Sequence, residues 1–158
     1  MEPRIEILIE KWLVGHSMKM SLIENKTGLL WGGFGPHLKR VTNRVDDDKI
    51  SMQVYDATYF DSFNPAMEFE KWATVEISSI SVIPEGMKTY NLPGGLYAVF
   101  DHKGSSSDTR IFDYIFRTWL PNSQYILDDR PHFERLGAKY KNNDPNSEEE
   151  IWIPVKKK

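Results

Sequence analysis

Residues 95–121 read Gly95-Leu96-Tyr97-Ala98-Val99-Phe100-Asp101-His102-Lys103-Gly104-Ser105-Ser106-Ser107-Asp108-Thr109-Arg110-Ile111-Phe112-Asp113-Tyr114-Ile115-Phe116-Arg117-Thr118-Trp119-Leu120-Pro121. Leu96 to His102 predicts a strand, rich in apolar and aromatic residues after a Gly-Gly turn. Ser105 to Asp108 supplies helix-capping residue types. Ile111, Phe112, Ile115, Phe116 and Trp119 then fall on one helical face, opposite Arg110, Asp113, Arg117 and Thr118. Pro121 is expected to stop that helix.

The same order recurs 85 residues earlier. The offset sets Trp12 on Tyr97, Val14 on Val99, Leu30 on Ile115, Phe34 on Trp119 and Pro36 on Pro121. Arg4 to Met20 predicts one strand, with Ile5, Ile7 and Ile9 alternating against Glu6 and Leu8. A helix from about Thr27 carries Leu30, Phe34, Leu38 and Val41 on one face. Gly32, Gly33, Gly35 and Pro36 break or kink it. Two readings of these small residues stand: a close neighbour on one side, or simply poor helix formation. Strands follow over 50–59 and 69–80. Pro84-Glu85-Gly86 divides the chain. Beyond it come strands over 87–90 and 96–102, the helix, and short strands over 133–136 and 151–155. The element order is β-α-β-β twice. The predicted fold class is α+β, in one domain over 1–158 with repeats of about 1–82 and 83–158.

Composition narrows the chemistry. The 158 residues hold 40% hydrophobic residues and twenty aromatics (five Trp, seven Tyr, eight Phe). That load fits a packed core and argues against disorder. With no cysteine, disulfides, thiolate metal sites and a cysteine nucleophile are excluded. Net charge is −3, which gives no electrostatic reason to expect nucleic acid. The four histidines lack zinc-binding spacing, and no metal or cofactor is expected. Asp46-Asp47-Asp48 and Glu148-Glu149-Glu150 lack the spaced ligands of a calcium loop. The second run enters a strand. No dinucleotide, phosphate-loop or serine-hydrolase motif is present. No signal peptide or membrane-length apolar run is visible, so a cytoplasmic protein without membrane contact is the default expectation.

Glu134, in Pro131-His132-Phe133-Glu134-Arg135-Leu136-Gly137, has two readings: an edge-strand surface glutamate, or a carboxylate in an aromatic cavity. A buried, unpaired carboxylate has its pKa raised. A cationic ligand would restore its charge and stack on the rings.

Together these stretches resemble the GyrI-like small-molecule-binding family, met also as the effector-binding domain of AraC- and MerR-type multidrug regulators of transcription. The carriers are Leu30-Trp31-x-x-Phe34, Gly95 to Phe100 with His102, and Phe112-x-x-Ile115-x-x-Trp119-Leu120-Pro121. Pro131 to Arg135 and Glu150 to Val155 complete the ordered set. The resemblance implies two βαββ repeats about a pseudo-twofold axis. It further implies an antiparallel sheet with helices on one side and a central ligand cleft. It makes Glu134 the pocket glutamate and surrounds it with aromatics, for which Trp31, Tyr55, Tyr97, Phe112, Phe116, Trp119 and Trp152 are the candidates. About half are expected to reach the cleft. Leu136 stands where the family has an aromatic, and Gly32-Gly33 interrupts the first helix; both reshape the pocket.

The resulting expectation is a stand-alone binding protein for a hydrophobic, cationic or amphipathic small molecule. Because the chain starts at the first strand, no room is expected for DNA-binding helices. One alternative is a hydrolase of reactive, cyclopropane-bearing natural products, with Glu134 as acid or base and Tyr55 or Tyr97 assisting. Another is a protein-interaction module of the gyrase-inhibitor kind, with an unknown protein partner.

Overall fold

A computed structural model describes all of residues 1–158. The stretch that opens the chain forms two strands, β1 (Arg4–Leu8) and β2 (Lys11–Met20), rather than one. Helix α1 (Thr27–Phe34) passes into a 3-10 turn at Gly35–Arg40, with Pro36 in its first turn. Next come β3 (Lys49–Val54), β4 (Phe69–Ile77), β5 (Lys88–Leu92) and β6 (Gly95–Lys103). Helix α2 (Arg110–Tyr114) continues as a π turn (Ile115–Trp119) and a last turn (Leu120–Asn122). Pro121 therefore sits inside the last turn. The wider π spacing just before it accommodates a residue that cannot donate a backbone hydrogen bond. The chain closes with β7 (Tyr125–Leu127), β8 (His132–Leu136) and β9 (Glu148–Lys157). The fold is α+β, and every strand pairing is antiparallel.

The sheet order is β1-β6-β9-β8-β3-β4-β2-β5, with β7 added against the end of β9. With β1 matched to β5, β2 to β6, β3 to β8 and β4 to β9, this order is a palindrome centred between β8 and β3. The first strand of each half is exchanged. β1 pairs with β6, and β5 pairs with β2. In these strands the equivalence that keeps each side chain on its face is 84 residues, Leu8 matching Leu92 and Leu13 matching Tyr97 inside the roll, which corrects the match of Trp12 with Tyr97 and Val14 with Val99. Arg4 faces Val99, and their counterparts, Lys88 and Gly15, face each other. β2-α1-β3-β4 and β6-α2-β8-β9 are the two βαββ repeats, and the strand preceding each lies on the other repeat.

Exchange forces the sheet to roll up. β1 and β2 lie far apart in the strand order, yet two residues join them. Two residues span less than about 11 Å between flanking Cα atoms. The link between β5 and β6 is equally short. The two links cross in contact: a Cβ on Gly94 would lie 2.6 Å from the Leu8 carbonyl oxygen. Inside the roll, Leu8, Leu13, Met52, Leu92, Tyr97, Phe133 and Trp152 form a core to which no helix contributes. On the opposite face, α1 packs Leu30 and Phe34 on Val14, Ala73, Val75 and Ile77. There α2 packs Ile111, Ile115 and Trp119 on Ala98, Phe100, Ile151 and Ile153.

Cross-strand partners share a face. Ala73 faces Ser51, Ser51 faces Glu134, and Glu134 faces Ile151. Both helices therefore cover the same side, and the gap between them lies over β3 and β8.

Two expectations are corrected. Ile7 and Ile9 are 77% and 79% exposed, whereas Leu8 is buried. The alternation in β1 is real, but the opposite parity faces the core. Nothing lies within 4 Å of a Cβ built on Gly32, Gly33 or Gly35. No close neighbour explains these glycines; they weaken α1 and end it early. No helix is long and apolar enough to cross a membrane.

Candidate functional site

Period 2 along each strand decides which side chains look into the gap between α1 and α2. From β8 these are His132 and Glu134, from β3 Ser51 and Gln53, from β4 Lys71 and from β9 Glu149. Glu134 accepts a hydrogen bond from Gln53 Nε2 at 3.0 Å. It also lies 3.6 Å from the Lys71 ammonium. Lys71 is buried, a costly place for an ammonium unless a carboxylate faces it.

Glu134 is thus partnered, which corrects the unpaired carboxylate expected from the sequence. The perturbed carboxyl is its neighbour. Burial, reinforced by the negative charge of Glu134 and opposed by Lys71, pushes the Glu149 carboxyl up to about 7. Two carboxylates thus share one ammonium at the centre of the helix-covered face. Neither Glu149 nor Lys71 was singled out from the sequence. Strand parity carried the signal. Glu149 is in phase with Ile151 and Ile153, and Lys71 with Ala73 and Val75.

Rings border this charged floor. Trp31, from α1, donates its indole N–H to Ser51 Oγ at 3.4 Å. Tyr55, just beyond β3, meets the His132 ring edge-on at 4.9 Å. Burial, then the charge of Glu134, raises the Tyr55 phenol well above its usual pKa, so it stays neutral. Phe116, from α2, and Phe60, from the loop after β3, stack with His132. Their centroids lie 5.5 Å apart, and 6.2 and 5.2 Å from the imidazole. Phe60 and His132 were missed. His132 shares the parity of Glu134; nothing in the loop pattern marked Phe60.

Of the candidate aromatics, the structure brings Trp31, Tyr55 and Phe116 to the Glu134 side. Tyr97 and Trp152 lie on the other face, inside the rolled sheet. Tyr97 donates to the Pro131 carbonyl at 2.7 Å beneath the Arg130 guanidinium, and Trp152 stacks on Phe133 at 5.1 Å. Tyr97 therefore cannot assist Glu134 as an acid or base. Trp119 packs against Phe100 and Tyr125 beneath α2. Phe112 packs with the same group. A shallow cavity of about 350 Å³ beside Trp119 is lined by Tyr114 and Tyr125 and lies away from Glu134. A second cavity, of about 210 Å³, adjoins the Glu134 side and is lined by Tyr55, Phe60 and His132.

A family model described as Cass2, integron-associated effector binding protein, matches residues 4–155. The transcriptional regulator BrlR of Pseudomonas aeruginosa is 27% identical over 130 residues. These cover 81% of this chain and 46% of BrlR, so the chain spans about half the length of that relative. SAV2435, solved bound to tetraphenylphosphonium, superposes with a TM-score of 0.69 at 15% identity, covering 99% of this chain and 94% of that one. A hydrolase encoded by lin2189 from Listeria innocua superposes at 0.60 with 12% identity, covering 98% and 92%. At those identities the two structural likenesses show a common fold and nothing about chemistry. The family match runs from β1 into β9 and takes in both helices and the strands between them: the chain belongs to the Cass2 family of integron-associated effector-binding proteins.

Proposed function

We propose that the chain binds a lipophilic or amphipathic organic cation between α1 and α2, over β3 and β8. Glu134 and Glu149 face its charge, and Trp31, Tyr55 and Phe116 face its apolar part. The observation that carries this reading is the charge count at the floor: two carboxylates against the single ammonium of Lys71. A bound monocation would balance that surplus. Aromatic faces add about 0.5–2 kcal/mol of cation–π attraction, more as water is excluded. The tetraphenylphosphonium held by SAV2435, which shares the fold, supports the same ligand class.

Titration with tetraphenylphosphonium, followed by tryptophan fluorescence, tests the reading, with Trp31→Phe identifying the reporting indole. A carboxylate about 6 Å from the cation contributes roughly 3 kcal/mol at an effective dielectric near 20. Glu134→Gln should therefore weaken binding by tenfold or more. Unchanged affinity in that variant would remove the carboxylate from the mechanism.

A further inference from the structure

The 210 Å³ cavity lies between the loop after β3 and the segment joining β7 to β8. Tyr55, Phe60 and His132 form its apolar wall, and Asp56, Asp61, Asp128 and Asp129 surround it. Arg130 is its only arginine or lysine, and Asp128 meets its charge. Its Nε donates to Asp128 at 2.8 Å, one terminal nitrogen donates to the Leu96 and Val155 carbonyls, the other is buried without a partner, and its plane lies over Tyr97. Asp56 accepts from the Thr58 amide and hydroxyl, both neutral donors. Asp61 and Asp129 have no cationic partner. Three carboxylates therefore remain unbalanced around a ring-walled cavity.

His132 adds a second and independent sign. Its side chain is 95% buried, lines the cavity, and makes no hydrogen bond to the protein. Burial, helped by the charge of Arg130, pushes its pKa down to about 3, so the ring is neutral. A neutral imidazole has one N–H and one lone pair. That lone pair receives no hydrogen bond from the protein and can accept one from a ligand in the cavity.

We propose that this cavity is a second cation subsite, which selects aryl cations bearing N–H donors (amidinium, guanidinium or protonated amine) over quaternary ones. The aryl group stacks against Phe60, an N–H is accepted by His132, and Asp61 and Asp129 face the charge. Quaternary ammonium and phosphonium ions satisfy the carboxylates but leave the imidazole unpaired. The subsite extends the binding reading above to a neighbouring place with different selectivity, and it does not use Glu134 or Glu149.

The test is calorimetric titration of the full chain with 2-naphthamidinium and 2-naphthyltrimethylammonium. The amidinium should bind about tenfold more tightly, the usual effect of one hydrogen bond to a charged group. His132→Phe keeps a ring in the stack and should bring the two affinities together. Asp61→Asn combined with Asp129→Asn, at two exposed positions, should weaken both probes about fivefold without unfolding the chain. Glu134→Gln should leave the preference standing. Equal affinities in the parent chain, a preference that survives His132→Phe, or one that vanishes in Glu134→Gln would each overturn the subsite. Tetraphenylphosphonium, whose four phenyl rings do not fit a cavity of about 210 Å³, reads the groove separately: its binding should weaken in Glu134→Gln and persist in the Asp61/Asp129 variant.

Discussion

Cation binding at Glu134 and Glu149 should release a proton and strengthen as pH rises. The Glu149 carboxyl sits at about 7 because burial and Glu134 oppose its ionisation. A cation lodged between the two carboxylates favours the ionised form. At about pH 5.5 roughly 3% of Glu149 is ionised, and at about pH 8.5 roughly 97%. If the cation needs both charges, affinity should rise about 30-fold across that interval, climb nearly tenfold per pH unit below 7, and level off above it. The Tyr55 phenol is shifted well above that window and the His132 imidazole well below it. Tetraphenylphosphonium, whose charge is independent of pH, isolates the protein's contribution. Calorimetry at pH 7 in two buffers of different ionisation enthalpy should count about half a proton released per cation bound. Glu149→Gln should remove both the pH slope and the proton. A flat affinity profile, or a slope that persists in Glu149→Gln, would refute the reasoning.

The same group fixes the sign of a stability effect. Its folded pKa lies above its unfolded one, so its contribution is fully present below about pH 4.5 and is lost as pH rises through 7. The shift sets an upper bound of about 3 kcal/mol, shared with Glu134 and Lys71. Urea melts of the parent chain should therefore show a fall between pH 4.5 and 7.5 that is absent in Glu149→Gln. Tyr97→Phe strands the buried Pro131 carbonyl and should cost about 1–3 kcal/mol in urea melts while leaving tetraphenylphosphonium affinity unchanged. Gly15→Ala would drive a Cβ into the Ala73 carbonyl, the backbone of the neighbouring strand, and should cost more than about 3 kcal/mol. Gly32→Ala meets nothing within 4 Å on α1 and should raise stability by about 0.5–1 kcal/mol in thermal melts.

Helix and strand periods made much of this fold legible. The apolar faces of α1 and α2 carry a local pattern, so their 85-residue repetition is visible in the chain; the strands before them match at 84, because Trp12 and Val14 face α1 whereas Tyr97 and Val99 lie inside the roll. The exchange of β1 and β5 is not, because a strand's partner leaves no mark in its own alternation. Parity could separate Tyr97 from Ala98 and Trp152 from Ile153 but could not say which set faces the helices. Both sets are apolar, and only the rolled sheet distinguishes them. Glu134 stood out from its setting, whereas Lys71 resembled any charge in a strand. Its meaning depends on Gln53 and Glu134 arriving from strands 18 and 63 residues away.

The palindrome also explains where the site lies and why its charge is lopsided. Ser51 and Glu134 face each other at the centre of the sheet and are each other's counterparts in the two halves. Lys71 lies two residues before Ala73, the partner of Ser51, and Glu149 two before Ile151, the partner of Glu134, so Lys71 and Glu149 are counterparts too. The 85-residue offset likewise matches Trp31 with Phe116. A strictly symmetric chain would set glutamate against glutamate on the axis, or serine against serine. The first costs like-charge repulsion between facing strands, and the second offers no charge to a ligand. Here the first half supplies hydroxyl, amide and ammonium, and the second supplies both carboxylates. The backbone frame is nearly twofold, but the field across it is not. The proposed monocation would therefore meet one preferred orientation between the helices, with its charge toward β8 and β9 and its rings toward Trp31 and Phe116.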